Sequence, residues 1–233
     1  MDKAVIDADI LVYRIGFATD KEDEGTAMRT IAGFLEDMIM FDLPYCDRWS
    51  LHLTGKGNFR DDFAVTAPYK GNRKGNVKPK HYQAIRDYLA FSWDATIWDG
   101  IEADDAVAIE CTELGDSGVL VSLDKDLDQV AGWHFNFVKN KLYYVTPEEG
   151  LYNFYKQFLT GDVVDNIKGV YGIGPKKADK LLEGKSEVEM WEIAVEHLGY
   201  DRALENGHLL YMIRSFGDKF VPPTERSNEN SVG

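Results

Sequence analysis

Four acidic groups stand out in the sequence: Asp7 and Asp9 in IDADIL, Glu102, Asp104 and Asp105 in IEADDA, Asp124, Asp126 and Asp128 in SLDKDLD, and Asp162 and Asp165 in TGDVVDN. Hard divalent cations such as Mg2+ and Mn2+ take oxygen ligands, so carboxylates gathered from separate segments are the side chains such ions need. Two ions about 4 Å apart can flank a phosphate, one promoting ionisation of an attacking water and the other stabilising the leaving oxygen. Without a cation the same carboxylates repel one another and raise each other's pKa. The chemistry expected of these residues is metal-assisted hydrolysis of a phosphodiester.

Spacing supports that grouping. Asp124 and Asp126 are two apart at a strand end and can point to one side, whereas Glu102 with Asp105, and Asp162 with Asp165, share a face if helical. Each group also has a structural reading. Asp104 and Asp105 suit a helix N-terminus, Asp162 a cap, and Asp126 and Asp128 a solvated loop. Asp7 and Asp124 follow apolar strands, and capping does not account for both.

Basic residues are collected in two places: Lys70, Arg73, Lys74, Lys78 and Lys80 in PYKGNRKGNVKPK, and Lys168, Lys176, Lys177 and Lys180 around GVYGIGPKKADKLL. The second is no dinucleotide fingerprint, because Lys177 stands where a third small residue is needed after Gly172 and Gly174. Nor does Gly184-Lys185-Ser186 complete a P-loop, since the earlier glycine position is Asp179. What remains is a tight turn opening a basic helix, able to hold phosphates through backbone N–H groups and lysines, or else an ordinary helix-helix turn with Pro175 in the first turn. The first basic run reads as polar and flexible; its Tyr69 can stack on a base or pack. The five histidines share no metal-ligand spacing, and no zinc or general-base role is assigned to them.

The formal charge of -14 argues against a polyanion partner if taken as a sum, but a basic surface beside a cation-filled acidic pocket reconciles the two. At 233 residues, 44% hydrophobic, with no apolar run of membrane-spanning length, the chain suits one α/β domain with or without an appendage. MDKAVIDADIL has acids within its apolar stretch and reads as a first strand, not a signal peptide. Cys46 and Cys111 lack metal spacing and fit a reducing cytoplasm.

Short β-branched runs at 3–6 and 117–123, with 49–54 as a third, are expected strands. Apolar stripes predict helices over 26–40, 82–91 and 106–114. Alternation of the two implies a mostly parallel, doubly wound sheet, with functional groups beyond the carboxyl ends of its strands. From 151 the pattern turns helical, with helices expected over 151–159, 187–198 and 208–216, and the polar end of the chain reads as a frayed tail.

In order, these motifs resemble the 5′ nucleases: flap endonucleases, the 5′ nuclease domain of bacterial DNA polymerase I and bacteriophage 5′-to-3′ exonucleases. The resemblance runs from about residue 4 to 182. It implies a PIN-like α/β nuclease domain over 1–150, a helical lobe over 151–220 with a helix-three-turn-helix element, and a polar tail over 221–233. It further implies Asp7, Glu102, Asp104, Asp105, Asp124, Asp126, Asp162 and Asp165 as ligands of two Mg2+ or Mn2+ ions. Arg14, Lys70 and Arg73 would engage the reacting phosphate, and Tyr69, Lys74, Gly172, Gly174, Lys176 and Lys177 would hold DNA, with K+ at the glycine turn. The implied activity is 5′-to-3′ exonuclease or flap endonuclease action on DNA at a 5′ end, nick or flap, in the cytoplasm of a bacterium or of a bacteriophage's host, with RNA primers or RNA-DNA hybrids as further substrates.

Two departures mark this chain. The family places another metal-binding aspartate after its next strand, where LTGKGNFR has Thr54 and Gly55; Asp9 or a water is the available substitute. Only 28 residues separate Arg73 from Glu102, short for a helical arch that threads a 5′ end. Two other functions fit the same residues: a structure-specific DNA-binding protein with weakened catalysis, and a PIN-like ribonuclease.

Overall fold

A computed structural model describes residues 1–73 and 75–226. Its centre is a six-stranded sheet in the order β3-β2-β1-β4-β5-β6, built from β1 (Lys3–Asp7), β2 (Arg48–Thr54), β3 (Thr96–Trp98), β4 (Gly118–Val121), β5 (Gly132–Asn136) and β6 (Lys141–Val145). All neighbours are parallel except the β5-β6 pair. The expected α/β class with a mostly parallel sheet is the class observed.

Both faces of the sheet are covered, as parallel sheets require. Alternation along β1 sends Ala4 and Ile6 to one core, with Leu11, Val12 and Ile15 of α1 (Ala8–Ala18), Ile31 and Leu35 of α2 (Glu24–Asp37) and Ile85 and Leu89 of α3 (Tyr82–Ser92). Val5 faces the other side, against Val107, Ala108 and Cys111 of α4 (Ala103–Leu114).

A third core gathers around α5 (Pro147–Thr160), α6 (Pro175–Leu182), α7 (Glu187–Leu198) and α8 (Tyr200–Leu210), centred on Phe154, Tyr155, Phe158, Ile173, Trp191 and Phe220. The expected boundary at 150 falls inside α5. Pro222 is buried and Arg226 pairs with Glu187, so the expected tail starts as packed chain; from 227 onward it lies outside the described residues.

Several expectations are corrected. The apolar N-terminal stretch is not all strand: it breaks at Asp7, and Ala8 opens a helix whose Leu11, Val12 and Ile15 form a buried stripe. Of the helix expected over 208–216 only 208–210 are helical, as the end of α8 (Tyr200–Leu210); beyond it the chain is irregular, and Arg60 donates to the carbonyls of Leu209 and Tyr211. Asp162 and Asp165 are not helical. They belong to a tight turn between β7 (Gly161–Asp162) and β8 (Ile167–Lys168), closed by Asn166 in the left-handed region at φ 62°. At its base Gly161 and Gly169 meet back to back, and a Cβ on Gly169 would lie 2.3 Å from the Gly161 nitrogen.

Candidate active site

The strands fan out in opposite directions from β1, so the crevice beyond the carboxyl ends of β1 and β4 is a topological switch point, the usual place for a site in such sheets. Asp7 ends β1, and Asp124 follows β4. The Ser122 hydroxyl donates to the Asp7 carboxylate at 3.0 Å and accepts the Asp124 N–H at 3.1 Å, tying the two strand ends together. Burial, with Asp9 and Asp124 close by, pushes the Asp7 carboxyl up to about 7 against the Ser122 hydrogen bond.

Asp124 caps a short 3-10 turn, Lys125–Gln129, by accepting the Asp126 N–H at 2.9 Å. Asp126 accepts from Gln157 of α5 at 2.5 Å. Burial, then Asp124 and Asp162, push the Asp126 carboxyl up to about 8. Its neighbour Asp162 is also pushed up by burial, but a hydrogen bond shared with Asp126 and the N–H groups of Asp165 and Val164 outweigh this and hold it below the carboxylate range.

The α4 N-terminus supplies the next group. Glu102 and Asp105 form a capping box there, the structural use foreseen for acids at this position. Glu102 lies within hydrogen-bond distance of the Tyr69 hydroxyl (2.8 Å) and is paired with Lys70. Burial raises the Glu102 pKa, yet Lys70 and Arg60 win and hold it low. Asp104 has no such partner; burial, Glu102 and Asp105 push it well above the carboxylate range. Asp105 is fully buried, with both oxygens on Arg60 at 2.5 and 2.8 Å.

The YKGNR segment is bound to this cluster. Its turn puts Lys70 in the left-handed region at φ 50°, and the Lys70 N–H donates to the Asp165 carbonyl at 3.0 Å. The Lys70 ammonium pairs with Glu102 and stands 3.6 Å from Asp165, while Arg73 pairs with Asp165 at 2.5 Å. Burial pulls the Lys70 pKa down, but Glu102, Asp104 and Asp165 overcome it, and the ammonium stays charged. Tyr69 packs instead of presenting its face: its hydroxyl is 2.8 Å from Glu102 and 2.9 Å from Asp165.

One cavity of about 440 Å³ collects most of these groups, lined by the carboxylates of Asp7, Asp9, Glu102, Asp104, Asp124 and Asp165, with Lys70, Arg73, Tyr13 and Tyr82 on its walls. Three expected ligands lie off its lining: Asp105 behind it on Arg60, and Asp126 and Asp162 paired with each other. Arg14 is exposed on α1 and also lies off the lining. Lys74 lies outside the described residues. A larger cavity, about 660 Å³, opens between α5 and the C-terminal segment, but its Arg214 is occupied by the Met212 and Gln129 carbonyls.

The donor set fits hard divalent cations. All groups offer oxygen, and among the described residues no basic side chain forms an ion pair with Asp7, Asp104, Asp124, Asp126 or Asp162. Burial first, and then neighbouring carboxylates, raise the pKa values of Asp7, Asp104 and Asp126, a repulsion that a bound cation would relieve. One oxygen each from Glu102, Asp104 and Asp105 falls within a 4.8 Å circle.

Gly172 lies in the left-handed region at φ 75°, Gly174 caps α6, and Ile173 between them plugs the helical core. Lys176 and Lys177 are exposed in the first turn of α6. Sequence reasoning passed over Arg60 and Arg86. Arg60 sits in a polar loop, where exposure is the natural expectation. Arg86 had a visible signal: it follows Ile85 on the inward face of α3, where an unpaired charge is costly.

No family model matches the chain. It is 33% identical over 133 residues to flap endonuclease Xni of Shewanella piezotolerans, covering 51% of each protein. It is 31% identical over 138 residues to DNA polymerase I of Rhizobium leguminosarum, covering 52% of this chain and 13% of the polymerase. The match thus spans about half of the Xni relative and a small part of the polymerase. Among solved structures, T5 5′-exonuclease with zinc bound aligns at TM-score 0.67 and 18% identity over 90% of this chain and 89% of that one. The catalytic core of Rad2 in complex with DNA substrate aligns at TM-score 0.52 and 15% identity, covering 78% and 60%. The chain is thus similar in sequence to flap endonuclease Xni over about half its length and has the fold of T5 5′-exonuclease over nine-tenths of it.

Proposed function

We propose that the protein is a divalent-metal-dependent nuclease that hydrolyses phosphodiester bonds at 5′ ends of DNA, as an exonuclease, a flap endonuclease or both. The carrying observation is the cleft in which six carboxylates face a lysine and an arginine at a sheet switch point. The names of its relatives, flap endonuclease and 5′-exonuclease, support the same reading.

In this proposal Asp7, Glu102, Asp104, Asp124, Asp126, Asp162 and Asp165 hold Mg2+ or Mn2+, with Asp105 acting behind them. The ions, when bound, neutralise phosphate charge and lower the pKa of water. Lys70 and Arg73 leave their carboxylate partners to bind oxygens of the reacting phosphate, and Arg14 meets the strand further out. The glycine turn with Lys176 and Lys177 would hold duplex backbone without reading bases, with K+ at the turn. A nuclease body over 1–150, a helical lobe over 151–220, action on RNA primers, and a cytoplasmic setting belong to the same proposal. Among the described residues no helix is long and apolar enough to cross a membrane.

A 5′-labelled flap, a nicked duplex, a blunt duplex and single-stranded RNA, each incubated with Mg2+, test the reading. Cleavage of the DNA substrates near their 5′ ends is expected. Cleavage of RNA alone favours the ribonuclease, and tight DNA binding without cleavage favours the binding protein.

A further inference from the structure

Three neighbouring parallel strands, β2, β1 and β4, end at the same edge of the sheet. β1 delivers Asp7 and β4 leads to Asp124, but β2 delivers Thr54. Around Thr54 is a closed set of bonds. Its N–H donates to Asp9 at 3.0 Å, and its carbonyl accepts from Arg86 at 2.6 Å. Arg86 donates to the second oxygen of Asp9 at 2.7 Å, and the Thr54 hydroxyl accepts the Ala103 N–H at 2.9 Å. Arg86 is 6% exposed, so its charge has little water to lean on. Asp9 lines the cleft, yet each of its oxygens already accepts a hydrogen bond, one from Thr54 and one from Arg86.

Resting on the metal-dependent reading above, we propose that Arg86 is a positioning residue that keeps Asp9 out of the metal-ligand set and fixes the β2 end against α4. A buried guanidinium with one carboxylate partner holds that partner firmly, because parting them strands a charge in low dielectric. The pair carries no net charge as a unit, so Asp9 adds less to the cation affinity of the cleft than an unpaired carboxylate would. Through Thr54 and Ala103, Arg86 holds the first turn of α4, from which Glu102 and Asp104 face the cavity. The substitute for a carboxylate at the β2 end is thus a neutralised corner, not a relocated ligand.

Mn2+ titration of the full chain, read from the free-ion electron paramagnetic resonance signal, separates these roles in a double-mutant cycle. Arg86→Gln frees Asp9 and is expected to tighten Mn2+ binding by about tenfold, or to add an ion. Asp9→Asn leaves the arginine unpaired and weakens it by a similar factor. Asp9→Asn with Arg86→Gln removes both charges and returns the affinity to that of wild type. Arg86→Lys keeps the charge and stays at the wild-type value, which reads the same point should Arg86→Gln fail to fold. A double variant as weak as Asp9→Asn makes Asp9 a ligand and overturns the inference, as does unchanged affinity in Arg86→Gln. Absence of Mn2+ binding by the wild type contradicts the metal-dependent reading itself, and this inference with it.

Discussion

Both carboxylate oxygens of Asp105 rest on the guanidinium of Arg60, at 2.5 and 2.8 Å, and neither side chain is exposed. Arg60 continues to the carbonyls of Leu209 and Tyr211, at 3.0 and 2.8 Å, so one buried cation ties the start of α4 to the end of α8. Asp105 of IEADDA thereby also serves as a strut between α4 and the helical part of the chain.

Breaking that pair on one side strands a buried charge. Arg60→Ala is expected to cost about 3 to 5 kcal/mol, and Asp105→Leu a similar amount, in urea unfolding. Replacing both, Arg60→Met with Asp105→Leu, should recover much of the loss. A cost below about 1 kcal/mol for Arg60→Ala, the value of a surface pair, contradicts the strut.

Metal removal should make stability depend on pH in a particular direction. Asp7 and Asp126 are raised to about 7 and about 8, above their unfolded values, so their contribution is complete below about pH 4 and is lost as pH rises through 7 to 8. In EDTA the melting temperature should therefore fall across that window, and saturating Mg2+ should reduce the slope. The same pH slope with and without Mg2+ contradicts the assignment of these carboxylates to metal.

Lys70 stands between Glu102 and Asp165 and stays charged through neutral pH. Lys70→Ala should lower kcat by about a hundredfold, the scale for losing one donor to developing charge, with a smaller effect on KM. If KM alone rises, the lysine serves substrate binding only.

The turn that carries Asp162 and Asp165 rests on the contact between Gly161 and Gly169, each of which would drive a Cβ into the other's backbone. Gly169→Ala should cost about 1 to 3 kcal/mol, as overpacking does, and weaken Mn2+ binding by displacing Asp162 and Asp165. A melting temperature equal to that of wild type removes the requirement for close approach.

Much of the fold is written in local patterns. β1, β2 and β4 are short apolar runs, α3 and α4 carry apolar stripes, and the acidic groups follow them in order. α1 was hidden because strand and helix adjoin at Asp7 without glycine or proline to mark the change. The β5-β6 hairpin escaped because its turn uses Asn140 in the left-handed region at φ 46°, not a glycine. Within the site, grouping of carboxylates was legible, but the division of labour was not. Whether an acid faces the cleft, like Asp104, or backs it, like Asp105, depends on Arg60, which is 45 residues away from Asp105 in sequence. Asp9 is settled in the same way by Arg86, 77 residues distant.

In the proposed function the carboxylates at the switch point carry out metal-dependent hydrolysis. Single-turnover cleavage of a 5′-labelled flap with Mg2+, by wild type and Asp124→Ala at matched folding and DNA binding, tests it most directly. Cleavage by wild type that EDTA abolishes is expected, with a loss of at least about a hundredfold in the variant. Equal rates for the two proteins, or cleavage that persists in EDTA, would contradict it.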